Sequence, residues 1–288
     1  MCNLRCPFCP VGNGKISHSL MTLEDHKKII DLLPKYVKLI RYSYRGDATL
    51  NPNCVKMIKY AHDSGFKTDM STNGMLVGNY IDQLVSSGLD RIIFAVDGAT
   101  QKVQQTYRIG SDINTIKDNI KRLIEARKSS QNRFPKEIIM QTVVSSNNEE
   151  QIDEIVKMAD ELGVDKIKFK TLAVNLGGDF LQGREEQESY LPKNKEYWRE
   201  GSDILLCPAL GETVILSSGD VSICCSDFEG KYIMGNIIEE NSFEKIIRSI
   251  KYNLTRKQIL KKNLPICKDC PMTGIYWISS VSKKFNRN

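Results

Sequence analysis

Nine cysteines stand in this chain of 288 residues, and eight of them fall into two groups. Cys2, Cys6 and Cys9 open the chain, in "MCNLRCPFCP". Cys207, the adjacent Cys224 and Cys225, and Cys267 and Cys270 lie in its last third. Thiols this close in sequence suit metal chemistry or disulfides. The count is odd, and no basic segment followed by an apolar run reads as a secretory leader. Both points argue against a disulfide framework and for a reducing cytoplasm. Structural zinc usually takes paired C-x2-C knuckles that close a tetrahedron. The C-x3-C-x2-C of the first group suits three irons of a [4Fe–4S] cube instead, and leaves the fourth iron open to a substrate or cofactor. In the second group, Cys207-x11-Gly219-x4-Cys224 and Cys267-x2-Cys270 supply four thiolates. Such a set holds either a structural zinc or a closed four-iron cluster. The ninth, Cys54, sits in the helical pattern "NPNCVKMIKYAH" and reads as a small buried hydrophobe.

The elements that must position these thiols follow from periodicity. From about residue 20 to 174 helical and strand patterns alternate. "VKLIRYSY", "KTDMSTNG", "RIIFAVDG", "EIIMQTVVS" and "DKIKFKTLAV" read as five strands. Amphipathic helices lie between them, and another precedes the first, opening on Thr22 with Asp25 in the place of a capping-box glutamate. Strands separated by helices specify right-handed β–α–β units and a parallel sheet, whose interior strands are near-continuous apolar runs such as Ile92 to Val96. The cysteine loop at residues 2–9 belongs at the C-terminal ends of those strands. Residues 175–206 are polar and without helical or strand period, a linker or substrate-facing loop. Beyond them, "ETVILSSGDVSICC" is a hairpin turning at Ser218–Gly219, and residues 241–262 are expected to form a helix with a break near Asn253. The expected units are therefore 1–174, 175–206 and a small cysteine-rich domain at 207–288. Lysine and arginine number 41 against 35 acidic residues, a formal charge of +6. They are scattered, which makes no case for nucleic acid. No stretch of about 18 apolar residues offers a membrane span.

Several of these segments together resemble a known family. "CNLRCPFC" resembles the cluster loop of radical S-adenosylmethionine (SAM) enzymes, down to the Asn-Leu-Arg filler and the aromatic Phe8. "YRGDATLNP" resembles the family's Gly-Gly-Glu-Pro segment, with Arg45-Gly46-Asp47-Ala48 in its place. "STNG" (Ser71 to Gly74) and "AVDG" (Ala95 to Gly98) resemble the next two strand-end segments. "YRIG" (Tyr107 to Gly110) resembles the place where an arginine meets the cofactor carboxylate. The resemblance implies an α/β fold, a partial (β/α)6 TIM-type barrel with a small α+β C-terminal domain. It implies a [4Fe–4S] cluster on Cys2, Cys6 and Cys9, with SAM on the open iron. Asp47 would face the SAM ammonium and Arg108 its carboxylate. Arg45, Gly46, Ser71 and Asn73 would line the cofactor, and Asp97 would contact its ribose or cap a helix. A reductant such as flavodoxin or ferredoxin would supply the electron that splits SAM into a 5′-deoxyadenosyl radical, which takes a hydrogen atom from substrate. The family has a strand directly before the cluster loop. Met1 directly precedes Cys2 here, so that first strand is expected upstream of residue 1.

The second cysteine group resembles the Twitch variant of the SPASM extension, which holds one auxiliary [4Fe–4S] cluster. Its implied ligands are Cys207, Cys224, Cys267 and Cys270. Cys225 is expected to turn away, since neighbours on a strand point to opposite faces. Beside the barrel motifs this reading outweighs zinc. With four protein ligands the cluster has no open iron and suits electron transfer, which makes the expected reaction the oxidation of a sugar or aminocyclitol alcohol. Peptide modification, a redox-neutral epimerisation or a non-catalytic scaffold are the alternatives. The substrate is thus a small molecule or a peptide. His18, His26 and His62 read as solvated surface residues, and Trp198 and Trp277 as packing residues.

Overall fold

The computed structural model describes residues 1–12, 14, 16, 19–42, 44–172, 184–197, 207, 210–228, 230–268, 270 and 283–284. Trp198, Trp277 and His18 lie outside them. Five parallel strands run in sequence order across one sheet: β1 (Leu39–Tyr42), β2 (Lys67–Thr72), β3 (Arg91–Ala95), β4 (Glu137–Val144) and β5 (Lys166–Thr171). Helix α1 (Leu23–Leu32) precedes the first strand. Helices α2 (Cys54–Asp63), α3 (Ile81–Leu84), α4 (Gln101–Tyr107), α5 (Ile113–Ser129) and α6 (Ile152–Leu162) make the crossovers. The cap of α1 forms as the sequence implies, with the Asp25 amide donating to Thr22 Oγ1 at 3.0 Å. Gly163, at φ +84°, closes α6 in the left-handed conformation.

Side chains on each strand alternate between two environments. Met70, Ile92, Phe94, Met140, Ile167 and Phe169 are fully buried against the helices, with Ile58, Ile116, Leu123, Ile155 and Ala159 completing the core. Cys54 is buried in the same core. The intervening residues face inward and are largely polar. Asp69 accepts Arg41 from β1 at 3.1 Å and Arg91 from β3 at 2.5 Å. Gln141 of β4 lies opposite Lys168 of β5.

In the region expected to lack secondary structure, helix α7 (Arg184–Ser189) and a 3-10 turn at Lys195–Tyr197 are present. The segment is docked, not loose. The Ser146 amide donates to Tyr190 O at 3.0 Å, and the amides of Lys193 and Asn194 donate to the Glu149 carboxylate at 2.9 and 2.8 Å. Residues 175–183 and 199–206 of the expected linker lie outside the described residues.

The small domain holds β6 (Val214–Ile215), β7 (Asp220–Ser222) and β8 (Ile233–Asn236), paired antiparallel. Gly219 makes the expected turn at φ +86°. Helices α8 (Ile237–Glu240), α9 (Phe243–Ile247), α10 (Ile250–Leu260) and α11 (Pro265–Lys268) follow. The helical stretch breaks at Arg248–Ser249, not at Asn253. Ser249 caps the second helix, accepting from the Tyr252 amide at 3.1 Å. A further short strand, β9 (Lys283–Lys284), pairs antiparallel with β5, an addition that periodicity did not suggest. Adjacent residues of α1 serve both units: Ile29 packs with Ile223, Met234 and Phe243, and Ile30 with Ala61 and Phe66. Among the described residues, no helix is long and apolar enough to cross a membrane.

His26 departs from the surface expectation. It is only 4% exposed. The Tyr42 hydroxyl donates to Met57 O at 3.0 Å, so the imidazole Nε2 must donate to that hydroxyl at 2.9 Å, and Nδ1 has no partner. Burial pushes its pKa down to about 4. The unfolded chain therefore takes up a proton that the folded chain refuses between about pH 6.5 and pH 4, and stability falls as pH drops through that window. Between about pH 7.5 and about pH 5.5 the protein should lose about 1 kcal/mol more unfolding free energy than the His26→Leu variant does. Denaturant midpoints at the two pH values measure this, and equal losses would contradict a neutral buried His26.

Candidate active site

The C-terminal ends of the five strands form one rim, and the first cysteine group lies across it. Three contacts hold the cysteine loop there. The Asp47 amide donates to Met1 O at 2.8 Å, the Arg5 amide donates to Ile109 O at 2.9 Å, and Asn73 Nδ2 donates to Asn3 Oδ1 at 2.7 Å. The first contact requires glycine at position 46. Its φ is +80°, and a Cβ there would sit 1.9 Å from Met1 O. Phe8 is buried at 2% exposure, with the Tyr190 ring edge-on at 4.9 Å and Tyr107 at 6.1 Å. Burial pushes the Cys2 thiol up and the Cys6 thiol up to about 11; Cys2 and Cys9 raise Cys6 further, while Arg108 pulls it down. Thiols placed like this ionise when a cation arrives to accept them.

The charged residues at the rim divide into two arrangements. Asp97, at the end of β3, accepts Arg108 Nε at 2.6 Å on one oxygen and the Val143 amide at 2.8 Å on the other. It caps no helix; Thr100 is the N-cap of α4. The Asp97 carboxylate holds the Arg108 pKa above its ordinary value despite burial. The two Nη groups of Arg108 make no hydrogen bond with a described residue, so the forked edge of the guanidinium remains for a ligand. Asp47 is different. Its carboxylate accepts from the Thr49 amide at 3.0 Å, the Thr49 hydroxyl at 2.6 Å, the Thr72 hydroxyl at 2.9 Å and the Asn73 amide at 2.7 Å. It joins the ends of β1 and β2, with little acceptor capacity left over. Ser71 lies on the inner face of β2, and Asn73 donates weakly to Cys2 Sγ at 3.9 Å.

Arg45 points away from this group and into the small domain. It donates to Asp227 O and lies over the rings of Tyr44 at 5.1 Å and Phe228 at 5.8 Å, which stack on each other. The Tyr44 hydroxyl reaches Cys224 O at 3.5 Å. The barrel rim thus grips the loop that carries the second cysteine group. That loop corrects one expectation. Strand β7 ends at Ser222, so Cys224 and Cys225 sit in a turn where strand alternation does not apply. Burial pushes Cys224 up to about 12 and Cys225 up to about 11, and both are raised further by Cys207 and Cys270. Cys267 is raised by Cys270 and Cys207 too. Five thiols, not four, share this neighbourhood. Cys224 is the more buried of the pair, and its Sγ accepts from the Ser226 amide at 3.4 Å.

Two family models match the sequence. Residues 1–159 match that of the radical SAM superfamily, and residues 207–271 match that of an iron–sulfur cluster-binding domain, SPASM. The chain belongs to the radical SAM superfamily. Among curated relatives, this radical SAM chain is 28% identical over 204 residues to a probable GTP 3′,8-cyclase of Metallosphaera sedula, covering 67% of the chain and 61% of that protein. It is 27% identical over 175 residues to a tungsten-containing aldehyde ferredoxin oxidoreductase cofactor-modifying protein of Pyrococcus furiosus, covering 59% of the chain and 49% of that protein. The matches span only about half to three-fifths of those relatives' lengths. Among solved structures, it superimposes on SuiB of Streptococcus suis bound to precursor peptide SuiA, with a TM-score of 0.67 at 15% identity over 95% of this chain and 68% of that one. On BtrN in complex with AdoMet and 2-DOIA the TM-score is 0.59 at 16% identity, over 94% and 88%. At such identities these structures share the fold.

Radical SAM and SPASM domains bind SAM and iron–sulfur clusters, and the donors present fit those groups. Three thiols, Cys6 buried and Cys2 and Cys9 half-buried, lie at one rim beside an arginine fork. No three His, Cys, Asp or Glu side chains among the described residues are grouped as a single metal ion requires. A cubane does not need that grouping, because each thiolate takes its own iron. Sequence reasoning missed the residues that hold this rim. Gln104 Oε1 accepts the Asp97 and Gly98 amides at 2.8 and 3.0 Å, and Asn148 Nδ2 donates to Asp97 O at 2.7 Å. Their signal was a polar residue at an apolar position: Gln104 is fully buried and Asn148 is 3% exposed.

Two substitutions separate holding the rim from binding the cofactor. Arg108→Lys keeps a cation beside Asp97 but loses the fork, so SAM affinity should fall about 10- to 150-fold, the worth of one charge-assisted contact, in a folded protein. Asp47→Ala leaves several buried donors unmet and should cost about 2–4 kcal/mol of stability before any effect on SAM. Equilibrium SAM binding and urea denaturation on both variants test this. Unchanged SAM affinity in Arg108→Lys would show that the fork binds something else.

Proposed function

We propose that this chain uses Cys2, Cys6 and Cys9 to hold the SAM-binding [4Fe–4S] cluster, and Cys207, Cys224, Cys267 and Cys270 to hold one auxiliary [4Fe–4S] cluster, and that it oxidises a hydroxylated small molecule in the cytoplasm. The observation that carries the oxidation is the second thiol group. It supplies a protein ligand for every iron, with Cys225 to spare, so no iron is left to bind substrate and an electron relay is the role that remains. When bound, SAM and the two clusters supply a hydrogen-atom abstraction and a sink for the second electron. The protein's own residues position and insulate. Arg108, held by Asp97, orients the SAM carboxylate through its Nη edge. Asp47 acts as a positioning residue, fixing Asn73 and the backbone of the Gly46 turn around the SAM amino acid. Phe8, Tyr107 and Tyr190 cover the cluster loop and exclude water. Arg45 and Tyr44 hold the Cys224–Phe228 loop against the barrel and so fix one site relative to the other. Net oxidation of an alcohol removes one hydrogen atom, one electron and one proton. Flavodoxin or ferredoxin is the proposed reductant for the first site.

The test is anaerobic reconstitution followed by turnover with SAM and dithionite over a panel of sugar and aminocyclitol alcohols. About eight irons per chain are expected, with about half lost in a Cys2/Cys6/Cys9 alanine variant. One ketone should form per 5′-deoxyadenosine. In Cys270→Ala the ketone should collapse while 5′-deoxyadenosine persists. Cys224→Ala should lose less auxiliary iron than Cys270→Ala, because Cys225 stands beside it to substitute. A product isomeric with its substrate would replace oxidation by a redox-neutral reaction, and bound zinc with about four irons would remove the auxiliary cluster.

A further inference from the structure

Helices α9 and α10 carry a charge pattern that neither thiol site uses. Residues 245–262 hold seven basic residues and no acidic one. Three of the seven are engaged. Lys245 pairs with Glu240 at 3.5 Å, Arg248 pairs with Glu244 at 3.3 Å, and Arg256 donates to Leu210 O at 3.0 Å. The other four, Lys251, Lys257, Lys261 and Lys262, are exposed, and their ammonium groups pair with no carboxylate of a described residue.

Helix α10 is also apolar on two sides. Tyr252 and Ile259 lie in the core of the small domain, at 4% and 2% exposure. Ile250 and Leu254, one turn apart on the opposite side, are 80% and 56% exposed. Lys257 and Lys261 continue that outer face along the helix. Single exposed aliphatic residues are ordinary. Two that adjoin on one face, edged by unpaired ammonium groups, have the apolar centre and charged rim of a protein interface.

The place of this face in the fold indicates its partner. The helix closes at Lys262, left-handed at φ +54°, and the chain passes directly into α11, which carries Cys267. Burial raises the Cys267 pKa, and the Lys262 ammonium pulls against that rise. The basic end of the face therefore lies within electrostatic reach of a thiol of the second site.

We infer that the outer face of α10, centred on Ile250 and Leu254 and rimmed by Lys251, Lys257 and Lys261, docks an acidic one-electron carrier protein that takes up the electron left at the second site. The inference rests on the reading of the second thiol group as an electron relay. Each oxidation leaves one electron there, which must depart before the next turnover. The carrier is reduced by that one electron, and no bond forms or breaks. The unpaired ammonium groups call for an acidic surface, and the closeness of Cys267 calls for a partner that accepts electrons. Electron carriers bind through small, transient interfaces, and complementary charge speeds such encounters.

The probe is oxidised plant-type ferredoxin, an acidic [2Fe–2S] protein, titrated calorimetrically into the reconstituted holoprotein. Saturable binding is expected, weakening roughly tenfold when salt is raised from about 0.05 M to about 0.5 M. The double variant Lys257→Glu/Lys261→Glu should weaken binding at least about tenfold, and so should Ile250→Asp at the apolar centre. Lys121→Glu, on the exposed side of α5, should leave it unchanged. In dithionite-reduced, desalted protein, excess ferredoxin should remove the EPR signal of the cluster that SAM does not affect, about tenfold more slowly in the double variant. Absence of binding, binding without electron transfer, or unchanged affinity in the double variant would each overturn the inference. If that variant loses iron, carbodiimide coupling in the wild-type complex decides instead: ferredoxin carboxylates should join to Lys251, Lys257 or Lys261, and coupling confined to other lysines overturns the face. Tighter binding of RNA or of phosphatidylglycerol vesicles through the same residues would also overturn it, with a nucleic acid or a membrane as the occupant. Iron and zinc are counted on the same preparation. About eight irons without ferredoxin binding sinks the docking face alone, and zinc with about four irons sinks the functional reading itself.

Discussion

Arg108 donates to Asp97 at 2.6 Å in a place where the aspartate is 2% exposed. Neither charge would be stable there without the other, and removing one partner of such a pair costs about 3–5 kcal/mol. The pair has consequences in three directions. The second oxygen of Asp97 takes the first free amide past the inner layer of β4, which ties two strand ends together. Among the described residues the guanidinium hydrogen-bonds through its Nε side alone, which leaves its fork open. Burial pushes the thiol of Cys6, the most deeply buried cysteine of the loop, up to about 11, and the Arg108 charge opposes that rise. One ion pair therefore sets the geometry of the rim, its polarity and the ionisation of a cysteine that could bind iron.

The remainder of the site is built by saturating polar groups. Asp47 collects amides and hydroxyls from two strand ends, so its carboxylate orders the backbone around them. Arg45 leaves the rim altogether and closes on the second cysteine loop with Tyr44 and Phe228. Two neighbouring residues of one turn thus do separate jobs. Asp47 shapes the first site, and Arg45 sets the distance to the second. Helix α1 reinforces the same link, with Ile29 in the core of the small domain and Ile30 packed with Ala61 and Phe66.

The parts that sequence conveyed are those with strong local signals. Five strands, their parallel order and the Gly219 hairpin followed from periodicity and turn chemistry, because buried apolar faces repeat with the period of the element. The cysteine loop and the strand-end segments together carried the resemblance to the family. What escaped depended on partners distant in sequence. His26 looks solvated in a helix of mixed composition, whereas in the fold it is buried with its ring against Tyr42. The hydrogen bonds of Asp47 to Thr72 and Asn73 join residues far apart in sequence. Cys225 faces away only if β7 is allowed to run three residues further than it does. Strand β9 is too short and too polar to carry any period.

The central claim is that the Cys2–Cys9 loop and the Arg108 fork form one site that binds SAM on an iron–sulfur cluster. Low-temperature EPR of the dithionite-reduced, reconstituted protein, recorded with and without SAM, tests it most directly. SAM should change the spectrum of one reduced [4Fe–4S] cluster and leave the other unchanged, and the responsive signal should be missing from a Cys6→Ala variant. Spectra that are identical with and without SAM, or a SAM-responsive signal that persists in Cys6→Ala, would contradict the account.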